Sequence, residues 1–283
     1  MQIALALTAL FMLVEVAGGL ISGSLALLAD AGHMLTDTMA LALAAVAFRV
    51  SARPADAKRS YGYHRFQILA AFVNGLTLVG IVVWILFEAI SRFMAPPAVM
   101  ANLMLVVACA GLLVNVAAFL ILHGGDQDNM NLRGAALHVM GDLLGSIAAI
   151  AAAVVIIFTG WMPIDPLLSI VVAALILRSA WDLLKRSAHV LLEGAPDWLN
   201  VSQMQERINT AVPSIISIHH VHVWGLTLQR VMLTMHVCVA GDGVDQTLVV
   251  RQVKKILQDE FGIDHSTIEV EHELCADENP SDC

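Results

Sequence analysis

This sequence predicts an α-helical membrane protein, six transmembrane helices followed by a small cytoplasmic α+β domain, on three observations. The 283 residues are 58% apolar and only 14% charged, with a mean hydropathy of +0.77, whereas soluble domains run near a quarter charged. The charge is unevenly placed. Residues 1–190 hold ten acidic and ten basic side chains; residues 191–283 hold fourteen acidic against five basic and so account for the whole net charge of −9. Finally, the first part breaks into six apolar segments, while the second alternates between helical and strand periods. We therefore expect a lipid-embedded domain over 1–190 and a water-exposed domain over 191–283.

Each span is justified by its length, since crossing roughly 30 Å of hydrocarbon takes about 20 apolar residues. The spans run near Ile3–Leu20, Leu25–Phe48, Phe66–Phe93, Met100–Leu122, Leu132–Thr159 and Ile164–Val190. Only Ile21–Ser24 separates the first two, which predicts a tight antiparallel hairpin. Arg49, Arg53, Lys58, Arg59 and Arg65 lie between spans two and three, and Lys185 and Arg186 lie at the end of span six. The opposite connections are nearly free of basic residues, Arg92 excepted, so the positive-inside rule places both termini and the tail in the cytoplasm.

In the tail, Pro196 and Asp197 precede an amphipathic helix near Leu199–Val212. Strands are predicted near Ile216–Leu226 and Arg230–Val239, a helix near Asp245–Phe261, and a last strand near Thr267–Glu273. The order αββαβ suits a split βαβ sandwich with its helices on one sheet face. Strand alternation puts His220 and His222 on one face and His219 on the other.

Several function classes are excluded. Nucleic-acid binding needs a basic face, which is missing. Cys109, Cys238, Cys275 and Cys283 are too few and too scattered for a secreted disulfide framework. The first apolar run lacks a basic flank and carries Glu15, so it does not read as a signal peptide. An intramembrane zinc protease needs His-Glu-x-x-His, absent here. Ser22 and Ser24 have no base near them in sequence, so no enzyme is expected.

The informative residues are ionisable groups inside spans. Span two holds His33 and Asp37, and span five holds His138 and Asp142, each pair spaced His-x-x-x-Asp. Four residues is about one helical turn, so the pair shares a face. A carboxylate at that depth costs several kcal/mol. Two imidazoles and two carboxylates from facing helices make an N₂O₂ tetrahedron of the kind zinc accepts. The plain alternative is a buried His–Asp hydrogen bond in each helix, which its occurrence twice disfavours. Gly19 and Gly23, and Gly141 and Gly145, have the spacing that lets helices approach closely. Glu15, Asn74 and Asn115 are further polar groups at depth; Glu15 either lines an aqueous or proton path or packs neutral.

Gly23–Asp37, Tyr61–Arg65 and His138…Asp142 together resemble the cation diffusion facilitators, most closely their zinc-transporting branch of bacterial zinc/cadmium/cobalt resistance exporters. The resemblance covers essentially the whole chain. It implies a ferredoxin-like cytoplasmic domain, a homodimer, and proton-coupled export of divalent metal from the cytoplasm across the inner (plasma) membrane. Zinc is the implied substrate, with cadmium second and cobalt a further possibility. The membrane site would be His33, Asp37, His138 and Asp142. Many relatives carry a His-rich stretch before span one; here the sequence starts almost inside the span, so either that stretch is lacking or the start is truncated.

For the tail, the resemblance implies zinc at His219, His236 and Glu271, as a regulatory or structural ion rather than a catalytic cofactor. Cys275 and Cys283 either complete a second site or form a loose thiol pair. A further pairing of His64 with His265 is implied where the membrane and tail domains meet; a solvated loop histidine is the plainer reading. His220, His222 and His272 are expected to be ordinary surface or sheet residues. A metal-gated membrane sensor without transport is the competing reading, which metal flux across a sealed bilayer separates.

Overall fold

The computed structural model describes the backbone of residues 2–123, 130–241 and 243–272, and the side chains there from residue 9 onward, apart from 37, 40, 41, 44, 118, 119 and 121–141. The side chains of Asp37, His138, Cys275 and Cys283 therefore lie outside the described residues.

Six long helices come first: α1 (Gln2–Ser22), α2 (Leu25–Ser51), α3 (Phe66–Met94), α4 (Ala101–His123), α5 (Met130–Thr159) and α6 (Ile164–Leu191). They match the predicted spans to within a few residues. Among the described residues, α3, Asp142–Thr159 of α5, and α6 are long and apolar enough to cross a membrane. Shorter apolar stretches, Ala9–Ser22, Leu25–Thr36 and Ala101–Ala117, lie in α1, α2 and α4. The tail continues as α7 (Val201–Ala211), β1 (Ile215–Gly225), β2 (Val231–Val239), α8 (Gln246–Phe261) and β3 (His265–His272), the expected αββαβ order.

The chain divides into two compact units. The first comprises Met1–Ala47 and Ala70–Lys185; the second comprises Phe48–Leu69 and Arg186–Cys283, and so takes in the polar loop between α2 and α3.

Two apolar clusters hold the first unit. One joins Phe11, Leu27, Met104, Val107 and the alanines Ala149, Ala152 and Ala153; the other joins Ala29, Val82, Ile85, Ala173 and Ala180. Alanines at these contacts let helix backbones approach closely. The hairpin between α1 and α2 turns at Gly23, whose φ of +73° suits a residue without a Cβ. The start of α2 is held by a residue distant in sequence. The Ser24 hydroxyl donates to Asp165 Oδ1 at 2.6 Å, and the Leu25 and Ala26 amides donate to the same carboxylate at 2.7 and 3.2 Å. A buried anion thus satisfies donors at a helix N-terminus, where the dipole favours it.

In the second unit the sheet order is β1-β2-β3, with β1 and β2 antiparallel and β2 and β3 parallel. A parallel pair requires a crossover, which α8 supplies. Met204 and Ile208 of α7 and Val249, Val253 and Leu257 of α8 pack with Leu233, Met235 and Val237 of the sheet. Asn200 and Asp245 cap the two helices, accepting from the Gln203 and Leu248 amides, and α8 ends at Gly262 in the left-handed region.

Candidate metal sites

In the membrane unit, α2 and α5 bring His33 and Asp142 together, with His33 Nε2 3.9 Å from Asp142 Oδ1. Asp142 is buried and His33 partly so. Asp37 and His138 follow and precede them on the same two helices by four residues, which for a helix is one turn. The surroundings are polar. The Asn115 amide donates to Ser146 Oγ at 3.3 Å, and the Ser146 hydroxyl donates to Asp30 Oδ2 at 3.4 Å. Ser146 lies one turn beyond Asp142. Gly145 faces the Asp30 carboxylate so closely that any Cβ there would collide with it. Glu15 of α1 is fully buried against Gly111, and its two oxygens have no hydrogen-bond partner among the described residues. Sequence reading singled out Glu15 and Asn115 but gave no role to Asp30 or Ser146, which join the set only through helix packing.

In the tail, His219 and His236 are cross-strand partners on β1 and β2. Glu271 of β3 reaches both, with Oε2 3.0 Å from His219 Nε2 and Oε1 2.9 Å from His236 Nδ1. These three converge as expected. His220 corrects the expected alternation. A register shift between His219 and His222 marks a bulge, and His220 within it has φ of +49°. The extra residue turns its imidazole toward the cluster, 5.4 Å from the His219 ring and 4.8 Å from the His236 ring between centroids. His219, His220 and His236 each present a ligand atom within 4.8 Å of the others. The exposed Glu269 carboxylate lies 3.5 Å from His236 Nε2. Three imidazoles and a carboxylate are a donor set that suits zinc.

His64 and His265 line one cleft, yet they are held by other residues. Arg230 donates to His64 Nε2 at 2.8 Å, and the His265 ring packs edge-on to Tyr61 with centroids 6.0 Å apart. His222 is exposed, and His272 Nε2 lies 2.7 Å from Gln246 Nε2.

Imidazole and carboxylate facing each other across two apolar helices, in a chain that also carries a histidine-rich sheet domain, define a metal-handling membrane protein. The model of the cation efflux transmembrane domain matches residues 1–192, and that of the cation efflux protein cytoplasmic domain matches residues 196–273. The chain is 50% identical to the zinc transporter ZitB of Pectobacterium atrosepticum over 97% of its own length and 86% of the relative's. It is 44% identical to the metal cation efflux system protein CzcD of Cupriavidus metallidurans, over 97% of this chain and 87% of that one. It is 41% identical to the cadmium, cobalt and zinc/H(+)-K(+) antiporter of Bacillus subtilis, over 96% and 88% respectively. The chain belongs to the cation efflux, or cation diffusion facilitator, family. It is a membrane metal-efflux protein and not an enzyme.

Proposed function

We propose that this protein exports zinc from the cytoplasm in exchange for protons, through His33, Asp37, His138 and Asp142. The observation that carries this reading is the approach of His33 to Asp142 across α2 and α5. Neutral imidazole and ionised carboxylate bind a divalent cation, and protonation of either releases it. Histidine is the side chain type whose charge changes within the physiological range. The site loads zinc as the imidazoles give up their protons to the cytoplasm. A rocking of the helices exposes it to the more acidic side, where reprotonation expels the metal. The names of the ZitB and Bacillus relatives support zinc as cargo and proton exchange, with cadmium and cobalt as further substrates.

We assign transport to residues 1–190, and metal binding with homodimer formation to residues 191–283. The match to the family's cytoplasmic domain supports the second role. His219, His220, His236 and Glu271 would hold a regulatory or structural zinc, cross-linking the three strands. The basic residues between spans two and three favour cytoplasmic termini, and the resemblance to bacterial exporters favours the inner membrane.

The test is zinc uptake into proteoliposomes with and without an imposed pH gradient, wild type beside Asp37→Ala/Asp142→Ala. Gradient-driven uptake that vanishes in the double variant is expected. Uptake indifferent to the gradient removes proton coupling, and undiminished uptake by the double variant removes the site.

A further inference from the structure

Within the second unit, the cleft that contains His64 and His265 measures about 580 Å³, the size range of small-ligand pockets. Its wall includes Arg53, Ser60, Tyr61, Arg230, Asp264 and His265. Its electrostatics are wrong for a metal cation. Arginine only donates hydrogen bonds and keeps its charge, so the 2.8 Å contact from Arg230 consumes the Nε2 lone pair that His64 would offer a metal. The guanidinium keeps its other N–H donors for a ligand. Arg53, on the opposite segment, has no side-chain partner among the described residues and is exposed. Asp264 is the acidic residue in the wall, and its Oδ1 accepts a hydrogen bond from Gln258 at 3.3 Å. Two permanent cations therefore face one engaged carboxylate, and the Ser60 and Tyr61 hydroxyls add neutral donors.

The loop that carries Arg53 is built, not loose. Asp56 accepts from the Lys58 and Arg59 amides at 2.8 Å each and from the Tyr63 hydroxyl at 2.6 Å, and the Arg59 guanidinium stacks over the Tyr63 ring. Arg53 itself follows the last residue of α2, Ser51, by two positions. Two guanidinium groups lining one cleft are suited to a tetrahedral oxyanion, which accepts paired N–H donors. The cleft is larger than a bare phosphate and leaves room for the group that bears it.

We infer that this cleft binds an anionic phosphate group between Arg53 and Arg230. Two sources share that chemistry, free phosphate compounds and the headgroup of an anionic phospholipid at the end of α2. The experiment uses the detergent-purified full chain, treated with EDTA so that no phosphate binds through zinc. Thermal unfolding is followed by tryptophan fluorescence during titration with sodium phosphate, against sodium chloride at equal ionic strength. A parallel series compares phosphatidylglycerol nanodiscs with phosphatidylcholine nanodiscs. A saturable stabilisation by phosphate or by phosphatidylglycerol is expected, and which of the two produces it identifies the source. R53Q and R230Q should each weaken it about tenfold, while R251Q, on the exposed face of α8, should leave it unchanged. R53Q alone decides the matter if R230Q fails to fold, because the Arg53 side chain makes no hydrogen bond or ion pair among the described residues. Absence of saturable stabilisation in both series, or its survival in R53Q, overturns the inference.

Discussion

His220 joins the tail cluster because of one backbone angle. A non-glycine residue at positive φ costs roughly 1–2 kcal/mol, a cost that metal binding at the bulge would offset. Replacing His220 with Ala should lower the zinc affinity of the cluster by about tenfold to a hundredfold, whereas His222→Ala, on the exposed side, should leave it unaltered. Calorimetric titration of both variants in an Asp142→Asn background isolates the tail site; equal affinities would remove His220 from the ligand set. The contrast with the membrane pair explains what single residues disclose. His33 and Asp142 are legible from sequence because helical spacing fixes which face a side chain takes, whatever packs against it. His220 is not, since a bulge depends on how two strands pair and leaves no mark in the local pattern. Asp30 and Ser146 are hidden for a related reason: their meeting depends on how α2 crosses α5.

Among elements, helix and strand positions follow directly from hydrophobic length and period, and their anchors do not. The hairpin of α1 and α2 was expected from its short turn, but its fixing by Asp165 involves a carboxylate some 140 positions away. Asp165→Ala leaves the Ser24 hydroxyl and two amides of α2 without their acceptor, at a cost of about 2–4 kcal/mol. Thermal unfolding should show that loss, and Asp165→Asn, which keeps one acceptor oxygen, should recover part of it. The loop after α2 supplies a prediction in pH. The Tyr63 hydroxyl, followed by the Lys58 and Arg59 amides, holds the Asp56 carboxyl below the ordinary carboxylate range. A depressed pKa means that the turn's support is complete above the ordinary carboxylate pKa and is lost as pH falls through the lower folded value. Amide exchange at residues 56–63, corrected for its intrinsic pH dependence, should therefore quicken in acid for wild type. In Asp56→Asn it should be fast throughout and flat with pH. A flat profile in wild type would remove Asp56 as the titrating group.

At the scale of the whole molecule, the two proposed metal sites draw on separate residues and separate cores. The membrane pair sits among helices packed through Leu27, Met104 and Ala149, and the tail cluster sits on a sheet closed by Leu233, Val237 and Leu257. Sites without shared partners behave additively. Metal content should consequently fall by one equivalent per chain in Asp37→Ala/Asp142→Ala and by one in His219→Ala/His236→Ala, and by both in the combined variant. Element analysis of dialysed, purified protein measures it directly. Because zinc in the tail would tie β1, β2 and β3 together, chelation should lower the unfolding temperature of wild type and of the membrane-site variant alike. The tail variant should respond less, by the share that the tail zinc supplies. The two effects separate in transport as well: loss of the membrane pair should abolish flux whatever the tail holds, while loss of the tail cluster should change how flux depends on cytoplasmic zinc and leave the proton requirement in place. If the tail variant also lost its proton dependence, the two sites would be one coupled system and the additive account would be wrong.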